Sequence, residues 1–418
     1  MIAHCKTQPL FAKSGKDMIA SIAIASWCCL GFVLPFSTAL CLLFSAIAFV
    51  SSVLLLNREN AIAVAMHPIS IATLLLFLWL TVTIAWSVAP PDEIREGISK
   101  YRKLLIPIFV ALPFVYLKRD PNALLKAFVF GNLAIAILAV VAWAGAFGQQ
   151  GLNLGFFRIG GASEPIVGRN RITQGAFYIF AALLIYVQVL NKSSRLKLPY
   201  LWITLLSVIT LVALSGRTGY LIFVVAVVAL VLIRILNGEF KQAVKIMIPS
   251  ALLFITAVFL SQHMSSRLIQ VGSELTNNQM GGVSERLHFY RVGLHLYVNN
   301  PLFGSGIASY AQGYSESALQ LSQYQASRLQ PHSEFVLQAV QGGSIGLILF
   351  FALIWVSLGA GYRQDKKSGI FAVILVCFFA GAAINSYIWD LAEGHFFALF
   401  LGYLIAQDVN KASLMRRE

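Results

Sequence analysis

LVALSGRTGYLIFV, residues 211–224, decides what kind of fold this chain can have. From Leu198 to Ile233 the one charged residue is Arg217. Apolar runs of this length enter bilayers, and an arginine held at the bilayer centre costs about 2.5–3.5 kcal/mol on insertion scales. Gly216 and Gly219 flank the cation and permit a tight turn. The stretch therefore reads as two helices, 198–215 and 218–236, joined by a hairpin with Arg217 at its tip, near the membrane surface. The bland account of such a residue is an interfacial arginine whose stem lies along lipid while its head reaches water.

The rest of the chain extends this reading. Its 418 residues are 58% hydrophobic and 11% charged, more apolar surface than a soluble domain of that length could hide. Stretches near 20 residues mean helices, since barrel strands are short and alternate. Twelve such segments occur, at 18–34, 37–56, 66–86, 104–117, 123–147, 172–190, 198–215, 218–236, 243–261, 335–360, 369–387 and 391–406. Lys6, Lys13 and Lys16 precede the first, as in a signal peptide, but no small-residue cleavage site follows and a second apolar segment comes at once. A retained helix is expected. The five cysteines, Cys5, Cys28, Cys29, Cys41 and Cys377, avoid the long polar loops, so neither a disulfide framework nor a metal knuckle is implied.

The formal charge of +14 is a matter of topology. With a cytoplasmic N-terminus, inner loops hold 18 of the 31 Lys and Arg residues against 12 in outer loops, whereas ten of the 17 acids lie outside. That is the positive-inside pattern; it needs no nucleic acid and places both termini in the cytoplasm. The chain reads as one integral membrane domain, 1–418, all-α and polytopic. Two outer loops are long: 149–171, rich in Gly and Asn, and 262–334, with 73 residues between the ninth and tenth segments. Loops that long are functional or carry their own helices. Within the second, SERLHFYRVGLHLYV (284–298) puts Leu287, Tyr290, Leu294 and Val298 on one stripe, an amphipathic helix expected at the membrane–water boundary.

The outer-face cations carry a chemical hint. From residue 158 onward they are all arginine: Arg158, Arg169, Arg171, Arg217, Arg267, Arg286, Arg291 and Arg328. A planar guanidinium fork suits bidentate phosphate recognition, whereas lysine acts as a point charge. His332 in PHSEFVLQAVQGGSIGL opens a membrane helix from the outer side, with Pro331 suited to its first turn. Its ring can change charge near neutral pH; the plain alternative is a helix-end residue bonded to water or backbone. Glu334 is a weak partner for it, because residues two apart on a helix do not face each other. Metal chemistry has little support: H-E-x-x-H and D-x-D are absent, and PPDEIREGISKYRK (90–103) alternates signs like a solvated face. The GSG at 304–306 lacks the following GK[ST] of a nucleotide loop. A secondary transporter also fits twelve helices, but its sites lie near the midplane in paired halves.

Three stretches together, LVALSGRTGYL, RLHFYRVGLHLYVNNPLFGSGIASY and PHSEFVLQAVQGGSIGL, resemble the O-antigen ligase and polymerase superfamily. Its S-x-R hairpin corresponds to Ser215–Arg217, its R-x-x-x-W/Y-x-x-A/G-L helix to Arg286–Leu294, its N-P-x-x-G-x-G to Asn300–Gly306 and its histidine-led helix start to His332–Leu347. Ser333 stands where Asn is more usual. The resemblance implies a GT-C-type glycosyltransferase of the bacterial inner membrane with about 12 spans and a periplasmic active site. It implies an O-antigen ligase moving a glycan from undecaprenyl diphosphate to lipid A-core, with no metal, cofactor or ATP. It further implies His332 as general base, Arg217, Arg286 and Arg291 on the diphosphate, and Arg169 and Arg171 as weaker candidates. The nearest rival it allows is an O-antigen polymerase, which passes the same donor chain to another lipid-linked unit.

Overall fold

Polar punctuation sets where the helices begin. Ser14, Asn57 and His67 each accept a hydrogen bond from a backbone N–H of a first turn, and Pro68 and Pro91 occupy first-turn positions that need no donor. The computed structural model describes residues 14–155, 157–191, 198–276, 282–321 and 330–415. Cys5, Lys6, Lys13 and Arg328 lie outside these residues.

Among the described residues there are seventeen α-helices. The first seven are α1 (Gly15–Val33), α2 (Thr38–Val53), α3 (Arg58–Ala65), α4 (Pro68–Val82), α5 (Pro91–Tyr101), α6 (Ile106–Leu117) and α7 (Asn122–Trp143). Then come α8 (Arg171–Asn191), α9 (Leu198–Val208), α10 (Arg217–Leu236), α11 (Phe240–Leu260), α12 (Gln262–Thr276), α13 (Gly282–Asn299) and α14 (Tyr310–Leu321). The last are α15 (Glu334–Gln364), α16 (Ile370–Ile384) and α17 (Leu391–Met415). Each of the twelve apolar segments coincides with one of them. Among the described residues six helices are long and apolar enough to cross a membrane: α1, α4 with its 3-10 extension to Trp86, α7, α10, α11 and α15. Shorter apolar helices are α2, α8, α9 and α16. This is the architecture of a multi-pass membrane protein.

Packing follows the apolar faces. Helix α17 lies on α6, α1 on α2 and α7, α15 on α4 and α16, and α10 among α8, α11 and α16. Phe180 stacks on Phe396 at 4.8 Å and Phe378 on Phe397 at 4.5 Å, tying α8 and α16 to α17. Such ring pairs are worth about 0.5–1.5 kcal/mol beyond their buried area. Helix α11 turns Leu252, Ile255, Phe259 and Leu260 outward, an apolar surface that a lipid solvent tolerates and water does not.

The two long loops have structure of their own. In 149–171 a short antiparallel hairpin pairs Leu152–Asn153 with Arg158–Ile159, and 262–334 contains α12, α13 and α14. On α13 the face that packs inward is Phe289, Val292 and Leu296, while Leu287, Leu294 and Val298 of the expected stripe are exposed. The helix has two apolar faces, and the sequence pattern showed only the outward one.

Candidate active site

Two helices start, and a third is entered, at the same end of the bundle: α8 at Arg171, α10 at Arg217, and α15 just after His332. Helix α13 brings Arg286 to the same place. Between them lies a cavity of about 210 Å³ lined by Arg171, Ile172, Ser215, Gly216, Arg217, Thr218, Gln270, Glu285, Arg286 and His332. Four of the six residues singled out from the sequence therefore share one cavity.

The S-G-R turn is built for close approach. After a π-helical turn at Ile209–Ala213 the chain extends through Leu214 and restarts as α10 at Arg217. Gly216 has an ordinary φ of −85°, so it is not there for a left-handed turn. A side chain on Gly216 would meet the Arg171 carbonyl at 2.9 Å, and one on Gly219 would meet Thr210 at 2.9 Å and the Gly175 Cα at 3.3 Å. The glycines let α10 sit against α8, which puts Arg217 beside Arg171. Glu164, from the 149–171 loop, accepts hydrogen bonds from the Ser215 hydroxyl and, at 3.3 Å, from its N–H. The same carboxylate lies 3.7 Å from the Arg171 guanidinium, which also donates to the Ser215 hydroxyl at 3.2 Å.

Arg286 is half-buried, and its Nη2 donates to Asn385 Oδ1 at 3.4 Å. Burial lowers its pKa from the ordinary arginine value, and nearby Arg217 adds to the effect. Its neighbour one turn on, Tyr290, donates its hydroxyl to the carbonyl oxygens of His332 (3.2 Å) and Ala383 (3.3 Å).

His332 does not lie in the first turn of α15. That helix begins at Glu334, capped by the Ser333 side chain, so Pro331 and His332 precede it. His332 is left-handed, with a φ of 52°. A non-glycine residue there costs about 1–3 kcal/mol and persists only where its surroundings fix it. Here Gln330 accepts from the His332 N–H at 3.2 Å, Tyr290 holds its carbonyl, and its ring lies 5.9 Å from that of Phe289. The backbone is thus pinned with the imidazole in the cavity wall.

Glu334 faces the other way. Fully buried, it accepts from Tyr101 (3.2 Å), Gln338 (2.9 Å) and the N–H groups of Ile388 (3.1 Å) and Trp389 (3.3 Å). Lys103 completes this frame by donating to the carbonyls of Trp389 (2.9 Å) and Asp390 (2.6 Å). Lys103 closes the stretch expected to be a solvated face, yet it is buried, and that burial pulls it down to about 7.

Two predicted site residues lie elsewhere. Arg169 donates to the Leu34 carbonyl at 3.0 Å and to Thr38 and Cys41, so it ties the loop to the α1–α2 hairpin. Arg291 is exposed on α13 near His288, whose pKa is lowered by burial and by this cation. Glu164 and Asn385 were missed. Glu164 is an acid in a Gly- and Asn-rich loop, a faint signal, and Asn385 at the end of an apolar segment gave none. Among the described residues no group of three His, Cys, Asp or Glu side chains is placed to hold a metal ion.

A larger cavity, about 410 Å³, lies among α8, α9, α10 and α11, lined by residues such as Ile179, Tyr186, Phe223 and Leu230. Lys245 is the charged residue of its lining, which makes it a place for an apolar chain and not for group transfer.

Fold and site together define a multi-pass helical membrane protein with a cavity lined by three arginines, a glutamate and a histidine at one end of its bundle. Residues 202–351 of the 418 match the family model described as O-Antigen ligase, so this part of the chain is similar to that family. No curated protein matches the chain.

Proposed function

We propose that this protein is an O-antigen ligase, transferring a glycan from undecaprenyl diphosphate onto a sugar of lipid A-core at the periplasmic face of the inner membrane. The observation that carries this reading is the one cavity lined by Arg171, Arg217, Arg286 and His332. The acceptor hydroxyl oxygen attacks the anomeric carbon while the bond from that carbon to the diphosphate oxygen breaks. His332 takes the hydroxyl proton as general base, and the bond's electron pair stays on the diphosphate, which leaves on its prenyl carrier. A single displacement inverts the anomeric carbon. Fixed guanidiniums aimed at the leaving oxygens stabilise charge where it develops, as an oxyanion hole does. Neither metal nor nucleotide enters the step. The twelve-span, GT-C-type architecture with both termini cytoplasmic belongs to the same reading.

The prenyl chain runs toward the 410 Å³ cavity. Its α10 residues Phe223–Leu230 lie 6–13 positions beyond Arg217, about 9–20 Å along the axis at 1.5 Å per residue. That separation suits a lipid whose head occupies the cationic cavity.

Reconstituted protein with purified lipid-linked donor and lipid A-core tests the proposal. Wild type gives glycosylated lipid A-core without added metal or nucleotide. Arg217→Ala and Arg286→Ala proteins insert normally and lose about 10²–10³-fold in rate, and His332→Ala about 10²–10⁴-fold. Normal rates from these variants refute the site, and glycan extended on the lipid carrier makes the protein a polymerase instead.

A further inference from the structure

We propose that Asn385 is a positioning residue for the cationic cavity, holding the Arg286 guanidinium beside the first turn of α10 without neutralising its charge. The proposal rests on the reading of that cavity as a diphosphate site. Asn385 ends α16, 34 residues past the last position of the O-Antigen ligase match, and its side chain is buried.

Both ends of its amide are engaged. The oxygen accepts from Arg286 Nη2 at 3.4 Å, and the nitrogen donates to Thr218 Oγ1 at 3.2 Å and to the Gly381 carbonyl at 3.4 Å. Turning the amide over would set its NH₂ against a guanidinium that can only donate, and its oxygen against a carbonyl, so one orientation is fixed. Thr218 lines the cavity and directly follows Arg217. One side chain therefore ties the element carrying Arg286 to the element carrying Arg217.

The chemistry of that tie matters. Arg217 and Arg286 are like charges around one small cavity and repel each other, increasingly so away from bulk water. Burial of Arg286 points the same way. An acceptor must hold Arg286 in place, but a carboxylate would offset the charge an anionic ligand has to meet. A neutral amide accepts the hydrogen bond and adds no further negative charge to a cavity whose lining already includes Glu285. The turn that presents Asn385 is itself held, through Ile388 and Trp389 N–H groups on Glu334 and through Lys103 on the Trp389 and Asp390 carbonyls. Asn385 is thus anchored from its own side of the site.

The test uses full-length protein in lipid nanodiscs, with undecaprenyl diphosphate as binding probe, donor KM and kcat from the transfer assay, and the thermal midpoint. Asn385→Asp keeps size and an oxygen toward Arg286 but adds a charge; Asn385→Ala removes the tie. Both are expected to raise the probe Kd and donor KM about tenfold, Asn385→Ala through the lost charge-assisted hydrogen bond to Arg286 and Asn385→Asp through the negative charge it sets against that guanidinium. Both should do so with kcat reduced less than KM is raised, and Asn385→Asp should also lower the thermal midpoint, because it sets an oxygen against the Gly381 carbonyl. Wild-type binding by both variants while Arg286→Ala binds poorly overturns the positioning role and leaves the proposed function standing. Wild-type binding by Arg286→Ala and Arg217→Ala removes the diphosphate site and this inference with it. Failure of both Asn385 variants to fold, or a fall in kcat matched to a lower thermal midpoint with KM unmoved, makes Asn385 purely structural and overturns it.

Discussion

Replacing Glu334 by alanine should damage the fold more than the chemistry, although Glu334 stands two residues from His332. Four donors converge on its carboxylate: Tyr101, Gln338 and the N–H groups of Ile388 and Trp389. Gln338 still donates to the Tyr101 oxygen at 3.1 Å when the carboxylate is gone. The Ile388 and Trp389 amides have no such reserve. A buried donor left unpaired costs about 1–3 kcal/mol, so the pair costs about 2–6 kcal/mol. Against the usual total of about 5–15 kcal/mol that is a large share. Glu334→Gln keeps one acceptor oxygen and should lose about half as much. The assay is thermal unfolding in detergent followed by tryptophan fluorescence, since Trp389 packs against Tyr101 at 5.7 Å and reports on the turn. Transfer activity is measured per folded molecule alongside. An alanine variant that melts with wild type, or a glutamine variant less stable than the alanine one, refutes the hydrogen-bond argument. An alanine variant of normal stability without activity would move Glu334 into the chemistry.

Arg169→Ala should cost stability, as the Leu34 carbonyl, Thr38 and Cys41 lose their donor, yet keep activity per folded molecule within about threefold of wild type, unlike Arg217→Ala, which should melt normally and lose about 10²–10³-fold in rate. Unfolding midpoints and initial rates on the same preparations separate them. Burial, with Glu393 beside it, pushes Asp390 up to about 8, so the folded protein keeps a proton that the unfolded chain releases near pH 4. Stability from this residue is full below that lower pH and is lost as pH rises through about 8; Asp390→Asn should flatten the decline in melting temperature between about pH 4 and about pH 8. Gly219→Val should lower the melting temperature by the equivalent of about 1–3 kcal/mol, since its Cβ alone would crowd Thr210 at 2.9 Å and Gly175.

Much of this was legible in the sequence because membrane helices are announced by composition. A helix in lipid must satisfy its own backbone and be apolar, so twelve apolar segments, each of which coincides with a helix, could be bounded with no knowledge of their neighbours. Arg217 was legible for a different reason, as a lone cation in an apolar run, and Arg286 and His332 through the motifs that resemble the superfamily's. Residues whose meaning depends on distant closure were not. Asn385 meets Arg286 from 99 positions away and Thr218 from 167. Arg169 and Arg171 look alike as letters, and only the path of the loop sends the first to α1–α2 and the second to the cavity. On α13 both faces are apolar, so periodicity alone could not say that Phe289 and Val292 turn inward.

The remaining motif residues, Asn300–Gly306 and the Gly-Gly pair of α15, are better explained by architecture than by catalysis. Gly343 has a φ of 63° and a ψ of −159°, which breaks the helix in its buried stretch. A broken helix strands backbone groups, and buried ones must find partners. The 300–306 loop supplies them. Ser305 and Gly306 donate to the carbonyls of Val340 (2.8 Å) and Gln341 (3.1 Å), while Ser344 and Ile345 donate to those of Pro301 (2.8 Å) and Leu302 (3.4 Å). Trp79 covers the Gly342 carbonyl at 2.9 Å. The two glycine-rich motifs are therefore halves of one joint, which locks the loop following α13 to the middle of the helix that follows His332. Arg286 lies on the helix before that loop, and His332 stands just ahead of the helix the loop is joined to. A motif without a reactive group can thus be as demanding of sequence as one that has it, because it fixes the distance between the groups that react.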